Sequence, residues 1–385
     1  MRSALLTWDM PPVPTGLGRA ANEIARGLLA AGVDVTVFSA DREGVESVDG
    51  LRIVGCRPGR WRTHWRRRTA IGHHAMPALF ADAVMRDHHR RAFDLVEATN
   101  WYMPGAAVRG LPSVVRMSTP AIDARDRAAP WRARADLAYA HRMERRTVRR
   151  ARGLISNTHP HAAKMRDVYG IADDTPHDVI GLSLCEQTVR DGAALPWPKN
   201  EPPAVLFVGR TERRKGFDEM LEGFLLWRTR RPDAVLRIVG LASGDLARRC
   251  RALGLHPGGS VVDLGRASDG DMQDALARSQ IVLAPSRYES YGLVYREAAA
   301  AGRALVVSRD DPSATDYVAR TGAGVLAKRT EPHAIAQALE EGWQRRNELR
   351  AAGLAHATTL SRAALGTATA AFYERVLSAS RGRRT

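Results

Sequence analysis

Short runs of apolar and β-branched residues alternate along the chain with longer segments in which apolar residues recur every three or four positions. At the amino end, residues 4–8 and 33–38 are predicted strands, and residues 19–31 are a predicted helix between them. Further predicted strands cover residues 51–54, 95–97, 113–117 and 153–156. Continuous apolar strands separated by helices are typical of parallel sheets covered on both faces. The first half is therefore predicted to be a doubly wound α/β domain.

The alternation stops at residues 186–203, which are rich in proline, glycine and polar residues and are predicted to link two domains. It then resumes, with predicted strands at residues 204–208, 235–239, 260–264, 281–284, 304–307 and 324–326. We predict a first domain over residues 1–185 and a second over residues 204–360. The final segment, residues 361–385, carries a helix long enough to pack back on the first domain. A chain of 385 residues suits two such domains.

Composition limits the classes of protein that remain. No apolar run approaches the roughly 18 residues that a membrane span requires. The first apolar run is ended by Asp9 and a proline pair, so it reads as a buried strand and not as a signal peptide. The three cysteines, Cys56, Cys185 and Cys250, lie far apart, which argues against a disulfide framework and a structural zinc site. A cytoplasmic location is expected.

The net charge of +16 favours anionic partners. Residues 57–68 and 125–152 concentrate the arginines, so a basic nucleic-acid-binding protein is one alternative function. Aromatic residues are only 6% of the chain, and no zinc-finger or RNP-like pattern accompanies the charge, which weighs against that alternative. An anionic substrate would be attracted by the same field, as would an anionic membrane surface, and peripheral membrane contact stays open.

Two glutamates, Glu289 and Glu297, stand eight residues apart after the predicted strand at residues 281–284. A loop carries Glu289 and Gly292, and a helix that begins near Gly292 carries Glu297. Such a junction lies at the carboxyl edge of a parallel sheet, where the helix start offers unpaired N–H groups to a phosphate. The two carboxylates can accept hydrogen bonds from the hydroxyl groups of one ligand. Alternatively, Glu297 is a helix acid favoured only by the helix dipole.

Two cations, Arg210 and Lys215, lie on the loop that follows the predicted strand at residues 204–208, in the pattern G-R-x4-K-G. Cations so placed can neutralise a diphosphate leaving group. The alternative is that Arg213, Arg214 and Lys215 form an exposed charge run.

The segment Gly16-Leu17-Gly18 with Ala21 satisfies G-x-G-x-x-A, and Asp41 follows the second predicted strand. This pattern supports the main alternative function, an NAD(P)-dependent oxidoreductase with Asp41 on a ribose. In that fingerprint the first glycine follows its strand almost at once, whereas a proline-bearing loop intervenes here. The sequence alone therefore leaves an NAD(P)-dependent oxidoreductase as an alternative function.

The segment from Pro285 to Ala298 resembles the E-x7-E signature of retaining glycosyltransferases of the GT-B fold, and its surroundings look like glycosyltransferase family 4. The resemblance covers nearly the whole chain. It implies two Rossmann-like doubly wound domains facing across a cleft. It also implies retaining transfer of a sugar from a nucleoside-diphosphate sugar to an acceptor hydroxyl on a polysaccharide, a lipid-linked sugar or a secondary metabolite. No metal and no other cofactor is expected, because members of the family work without one.

The resemblance also assigns residues. Glu289 would face the donor sugar, and Arg210 and Lys215 would bind the diphosphate; these three are the predicted catalytic residues. The predicted donor-binding residues are Gly16, Gly18, Gly209, Gly265, Arg266, Gly292, Leu293, Val294 and Glu297. The predicted acceptor-side residues are Asn100, Trp101, Arg116 and Ser118. Ser118 departs from the family, which often has a histidine there, so the usual side chain beside the donor sugar is absent from this position.

One literal D-x-D, Asp269-Gly270-Asp271, matches a metal-binding motif of the other large glycosyltransferase fold. A helical pattern follows it directly, so helix N-capping is the preferred interpretation. No metal ligand is assigned.

Overall fold

The computed structural model describes residues 1–13, 15–59, 72–124, 130–199 and 201–381. The chain divides into two compact units: Met1–Ser183 together with Ser361–Thr385, and Leu184–Leu360. No helix in the described ranges combines the length and apolarity needed to span a bilayer.

The described part of the first unit contains an eight-stranded sheet in the order β3-β4-β2-β1-β5-β6-β7-β8. Its strands are β1 (Arg2–Thr7), β2 (Asp34–Ser39), β3 (Val45–Val48), β4 (Leu51–Gly55), β5 (Leu95–Thr99), β6 (Ser113–Arg116), β7 (Gly153–Ser156) and β8 (His177–Val179). Its first helices are α1 (Gly16–Ala30), α2 (Gly72–Arg90), α3 (Trp131–Arg150) and α4 (His159–Tyr169). All neighbouring strands are parallel except the β3–β4 pair. Strands β2, β3 and β4 lie on one side of β1, and strands β5 to β8 lie on the other side.

In the second unit, the described residues form a six-stranded parallel sheet in the order β11-β10-β9-β12-β13-β14. Its strands are β9 (Ala204–Val208), β10 (Val235–Val239), β11 (Val261–Asp263), β12 (Ile281–Ala284), β13 (Ala304–Ser308) and β14 (Gly324–Ala327). Its helices are α5 (Glu186–Ala194), α6 (Phe217–Arg228), α7 (Asp245–Leu253), α8 (Asp269–Ala277), α9 (Leu293–Ala300), α10 (Pro312–Thr321), α11 (Pro332–Gln344) and α12 (Arg346–Ala357). The last helix, α13 (Arg362–Arg381), belongs to the first unit.

The predicted doubly wound α/β class is confirmed in both units. The central strands are buried along their length, as continuous apolar runs require. Two edge strands escaped prediction because neither is a continuous apolar run: β3 leaves Val45 and Val48 exposed, and β8 is short and polar.

The structure corrects the predicted linker at residues 186–203. Its first part forms helix α5, and the whole segment belongs to the second unit. Val189 packs with Leu184 and Ala300 in a small apolar cluster, which is why these residues fold with the second sheet. At Gly192 an added Cβ would lie 2.8 Å from the carbonyl oxygen of Ala300, so only glycine allows this close approach to α9.

Helix α13 packs against α1 at a glycine crossing. A Cβ added to Gly366 would lie 1.9 Å from the carbonyl oxygen of Gly27, a distance that no side chain tolerates. Beside the crossing, Arg362 pairs with Glu23 at 2.7 Å. Further along α13, the hydroxyl of Tyr373 donates to buried Glu97 of β5 at 2.6 Å. The last helix therefore completes both the apolar and the polar packing of the first unit.

Candidate active site

The two neighbouring strands β9 and β12 lie where the strand order of the second unit reverses. The chain runs from β9 through β10 to β11 on one side, and from β12 through β13 to β14 on the other. Ligands of open α/β sheets bind at the carboxyl ends of the strands at such a switch point. The loops that leave β9 and β12 there, residues 209–216 and 285–292, carry both sequence motifs of the second half.

Glu289 is clamped between two cations of the β9 loop. Its Oε1 accepts from Lys215 Nζ at 2.6 Å, and its Oε2 lies 3.0 Å from Arg214 Nη1. The hydroxyl of Ser286 donates to Oε1 at 2.7 Å. The charged side chains of Glu289, Lys215 and Arg214 are largely buried, between 13% and 21% exposed. Water therefore screens their interactions only weakly. The first glutamate of one motif and the lysine of the other thus form a single cluster.

The cluster carries more positive than negative charge. Burial would raise the pKa of Glu289, but the charges of Lys215 and Arg214 outweigh it and hold the pKa below its ordinary value. Glu289 is therefore an anion at neutral pH. In the clamp itself, two cations, Lys215 and Arg214, face the single carboxylate of Glu289. Two partly buried cations on one loop suit a polyanionic ligand.

The loops after β9 and β12 are also joined by contacts that do not involve Glu289. The N–H of Arg287 donates to the carbonyl of Arg214 at 2.8 Å, and the Arg287 guanidinium donates to the Arg213 carbonyl at 2.7 Å and pairs with Glu219 at 2.7 Å. Gly216, which ends the one-turn helix Arg213–Lys215, has a φ of 66°, and an added Cβ there would lie 2.5 Å from the Pro285 carbonyl oxygen. Only glycine allows the loops to approach so closely.

Gly292 immediately precedes helix α9, and its φ of 72° lets the chain turn from the loop into the helix. No side chain caps the helix start, so the N–H groups of Leu293 and Val294 are not used by a capping residue. Glu297 lies one turn further along and is half-buried. Arg296 faces the other way, buried over the Tyr291 ring at 3.8 Å. The predicted donor-binding residues of this motif therefore lie on one helix start beside Glu289.

The remaining predicted residues of the second unit lie further out. Arg210 is 74% exposed and pairs with Glu212 at 2.6 Å, so in this structure it does not join Lys215 on Glu289. Gly209 and Gly265 sit at successive strand ends: Gly209 N–H donates to the end of β10 at 2.9 Å, and Gly240 N–H donates to the Gly265 carbonyl at 2.7 Å. Arg266 follows on the surface and is exposed. These residues line the sheet edge beyond the cluster.

Two residues of the site were not predicted. Arg214 was assigned only to a possible charge run, and its position beside the predicted Lys215 was the available signal. Asp311, the residue before α10, is fully buried; its Oδ1 accepts from the backbone N–H of Glu289 at 3.2 Å. Burial, reinforced by the charge of Glu289, raises the pKa of Asp311 to about 6, although a hydrogen bond from Tyr295 opposes the shift. No local pattern marks Asp311, because its partner is 22 residues away.

The D-x-D segment caps a helix. The Ser268 hydroxyl oxygen accepts from the N–H of Asp271 at 3.2 Å, and the Ser268 backbone N–H donates to the Asp271 carboxylate at 3.0 Å, which is a capping box at the start of α8. Within the described ranges, no group of three or more His, Cys, Asp or Glu side chains is placed to hold a metal ion.

In the first unit, the loops after β5 and β6 meet over a buried polar network. Asn100 Oδ1 accepts from the Ser118 N–H at 2.6 Å, and Asn100 Nδ2 donates to the Tyr169 hydroxyl at 2.8 Å. The Tyr169 hydroxyl donates to Glu144 at 2.9 Å, and Glu144 also accepts from the N–H groups of Ala121 and Tyr102. The predicted residues Asn100 and Ser118 are thus directly bonded. Trp101 lies beside them, half-buried, with its carbonyl accepting from the Trp8 indole at 2.7 Å.

A histidine does lie next to Ser118, but it comes from helix α4. His161 lies against the Ser118 backbone, and its Nδ1 accepts from the Asn157 N–H at 3.2 Å. Burial lowers the pKa of His161 to about 3, so this ring is neutral at physiological pH. It fixes the loop and is not exposed to a ligand, since its relative exposure is 0%.

Arg116 was predicted on the acceptor side, and the structure corrects this assignment. Its guanidinium pairs with Glu97 at 2.8 Å and donates to Thr369 of α13 at 3.0 Å, and the side chain is buried. Alternate residues of a strand point to opposite faces, and Arg116 points to the face that α13 covers. It supports the packing of the last helix.

Gly16 and Gly18 open helix α1 after Thr15, whose hydroxyl oxygen accepts from the Gly18 N–H at 2.9 Å. Thr15 in turn donates to Asp9, and a Cβ on Gly18 would lie 2.5 Å from the Asp9 carboxylate. Asp41, assigned to a ribose in the oxidoreductase alternative, accepts from Ser39 and from the Met10 N–H. Gly16 is exposed and Gly18 is buried, so the two glycines do not present one common surface.

Of the two basic stretches, residues 60–68 and 125–129 lie outside the described part. Among the described residues, helix α3 exposes seven arginines: Arg132, Arg134, Arg142, Arg145, Arg146, Arg149 and Arg150.

The buried Glu144 gives the first unit a specific pH response. Burial raises the pKa of Glu144 to about 7 from 4.5, so the folded chain binds this proton more tightly than the unfolded chain does. Its contribution to stability is therefore present at low pH and is lost as the pH rises from about 4.5 to 7. We expect Glu144→Gln to remove this loss, so that the difference in melting temperature, variant minus wild type, increases between pH 5 and 7.5. A difference that stays constant with pH contradicts this, and Glu186→Gln on exposed α5 is the control.

Comparison with known proteins identifies the family. The family model for the glycosyl transferase 4-like domain matches residues 15–182, and that for glycosyl transferases group 1 matches residues 195–353. The chain belongs to the GT-B glycosyltransferases of the family 4 type, and it is a transferase enzyme. The oxidoreductase and nucleic-acid-binding alternatives are set aside by these matches.

Individual relatives agree with the family. Glycogen synthase of Mycobacterium tuberculosis is 29% identical over 341 residues, covering 80% of this chain and 78% of that protein. D-inositol 3-phosphate glycosyltransferase of Pseudarthrobacter chlorophenolicus is 28% identical over 319 residues, covering 76% and 74%. Sucrose-phosphate synthase from Thermosynechococcus elongatus has a similar solved structure, with a TM-score of 0.76 and 20% identity over 98% of this chain and 99% of that one. This last similarity supports the fold.

Proposed function

We propose that this enzyme transfers a sugar from a nucleoside-diphosphate sugar to a hydroxyl group, with retention at the anomeric carbon. The observation that carries the proposal is the cluster at the β9–β12 switch point, where Lys215 and Arg214 hold the Glu289 carboxylate beside the uncapped start of α9. Two partly buried cations and a helix start suit a diphosphate. A carboxylate next to them suits the hydroxyl groups of the attached sugar.

The proposed roles follow from charge. As the bond between the anomeric carbon and the diphosphate oxygen breaks, negative charge grows on the leaving diphosphate, and Lys215 stabilises it together with the N–H groups of Leu293 and Val294. Arg214 adds a second fixed cation. The acceptor oxygen bonds to the anomeric carbon on the same face, and its proton passes to the departing phosphate oxygen. No resident metal is needed in this scheme, because the protein supplies the positive charge.

The second glutamate is proposed to bind the ribose of the donor, since Glu297 lies one turn into α9 from the N–H groups that would meet the diphosphate. The acceptor is proposed to be a hydroxyl-rich molecule. The named relatives make a glycan and a glycosylated inositol phosphate, so both classes belong in a first acceptor panel.

A donor-hydrolysis screen tests the proposal without knowledge of the acceptor. The purified chain is incubated with UDP-glucose, ADP-glucose, GDP-mannose and UDP-N-acetylglucosamine, and the released nucleoside diphosphate is measured. We expect one donor to be hydrolysed well above the buffer rate. Hydrolysis of none of them would refute the proposal, and thermal stabilisation by NAD(P) alone would then favour the oxidoreductase alternative.

Glu297→Ala is expected to weaken donor binding about tenfold, because the variant loses charge-assisted hydrogen bonds to the ribose. Titration calorimetry with the nucleoside diphosphate of the selected donor measures the loss. Glu222→Ala, on helix α6, is the matched control and should bind as the wild type does. Equal affinity of the Glu297 variant and the wild type would remove the ribose role.

A further inference from the structure

The carboxylate of Asp311 links three elements around Glu289. Oδ1 accepts from the Glu289 N–H at 3.2 Å, in the loop after β12, and from the Ser313 N–H at 3.1 Å, in the first turn of α10. Oδ2 accepts from the Tyr295 hydroxyl of α9 at 2.7 Å. Asp311 is 0% exposed and Tyr295 is 1% exposed, so water does not compete for these bonds.

Helix capping alone does not account for this residue. As the residue before α10, Asp311 caps the helix by accepting from Ser313, a task that serine, threonine or asparagine performs as well. An aspartate here lies close to the Glu289 anion, and the burial of both acids is electrostatically unfavourable. The oxygen that caps the helix also accepts from the Glu289 N–H, which needs a longer reach than a serine has, and the bond from Tyr295 needs a second oxygen.

A bound diphosphate would weaken the ion pairs that hold the Glu289 side chain. In this structure Glu289 is held by Lys215 and Arg214, the cations proposed to meet the diphosphate. A bound diphosphate would share those cations and loosen their hold on the carboxylate. The backbone bond to Asp311 does not involve either cation, so it persists when the donor is bound.

We propose that Asp311 is a positioning residue that holds Glu289 through its backbone N–H, so that the carboxylate stays at the donor sugar once the cations have turned to the diphosphate. The inference rests on the proposed function. It predicts a selective defect: the sugar-dependent step suffers, whereas the binding of a nucleoside diphosphate, which has no sugar for Glu289 to contact, does not.

Asp311→Ser separates the two roles of the residue. Serine keeps an oxygen that can cap α10, but it cannot also reach Glu289 and Tyr295. We expect the kcat for donor hydrolysis to fall about tenfold or more, with the Kd of the nucleoside diphosphate unchanged within about threefold. The melting temperature should fall, because the Glu289 N–H and the Tyr295 hydroxyl each lose a buried acceptor. UDP, ADP and GDP are the probes for the Kd measurement.

Two further variants complete the test. Asp311→Asn keeps an oxygen of the same reach and is expected to restore kcat to within about threefold of the wild type. Tyr295→Phe removes only the bond to Oδ2, so its kcat should also stay within about threefold. A wild-type kcat for Asp311→Ser overturns the inference. A parallel loss of kcat and of nucleoside-diphosphate affinity in Asp311→Ser also overturns it. A kcat of Tyr295→Phe as low as that of Asp311→Ser has the same meaning, because either result indicates general damage to packing.

The two proposals fail differently. If the wild type hydrolyses no donor, the glycosyl-transfer proposal fails and Asp311 has no sugar step to support. If the wild type hydrolyses a donor and Asp311→Ser hydrolyses it equally fast, only the positioning role is wrong.

Discussion

Lys215→Ala is expected to lower kcat for sugar transfer by about a hundredfold to a thousandfold, the range seen when one fixed donor to a developing oxyanion is removed. Lys215 is 18% exposed, and its ammonium lies 2.6 Å from Glu289 at the switch point, where it is desolvated and directed by the Gly216 turn. The charge of Lys215 stabilises the negative charge that develops as the diphosphate departs. The loss of activity should therefore appear in kcat measured at saturating donor.

Arg213→Ala is the matched control for this prediction. Arg213 belongs to the same one-turn helix and carries the same charge, but it is exposed, and its contact with Arg287 uses the backbone carbonyl. We expect its kcat to remain within about threefold of the wild type. If both variants lose activity equally, the site responds to general charge, and the specific role of Lys215 is refuted. Unchanged turnover in Lys215→Ala refutes it directly.

Glu289→Gln should change catalysis and product affinity in opposite directions. Glutamine cannot offer two charged acceptor oxygens to the donor sugar, so kcat is expected to fall about a hundredfold. The same change removes the anion that Lys215 and Arg214 share, while Arg214 keeps its pair with Glu212. A nucleoside diphosphate then meets one more uncompensated positive charge and should bind about threefold to tenfold more tightly. Titration calorimetry and steady-state turnover measure the two effects on one preparation.

Glu212→Gln serves as the control, because Glu212 pairs with Arg210 and Arg214 but is one-third exposed. Its removal should raise product affinity slightly and leave kcat near the wild-type value. If Glu289→Gln instead binds the nucleoside diphosphate more weakly while its kcat falls, the carboxylate holds Lys215 and Arg214 in place for the diphosphate and does not compete with it. In that case the proposal that these cations move from Glu289 to the diphosphate is wrong.

The sequence predicted the architecture of this enzyme and the motifs of its site, for identifiable reasons. Central parallel strands such as β9 and β12 are buried on both faces, so each appears as an apolar run that ends where a loop must begin. Motif residues that follow such runs are necessarily brought to one sheet edge. Lys215 and Glu289 are 74 positions apart in sequence, yet both could be assigned to the site from their position after a strand.

Other residues could not be placed in this way, because their environment comes from distant segments. Arg116 is the last residue of the apolar strand β6, and its role as a packing residue depends on Thr369 of α13, 253 positions later in the chain. Asp311 has an ordinary helix-capping sequence, and its bond to Glu289 depends on how the β12 loop closes over it. The clamp itself, with Arg214 as the second cation, depends on side-chain directions that spacing does not specify.

The glycine crossing between α1 and α13 has a consequence for biosynthesis. The first unit is discontinuous in the chain, so a ribosome delivers the whole of the second unit, Leu184–Leu360, before it delivers the helix that completes the first. Until Arg362 and Tyr373 emerge, Glu23 and Glu97 lack partners that they have in the folded enzyme. The amino-terminal sheet therefore has one face incomplete until the last helix is synthesised, so the second unit can be complete before the first.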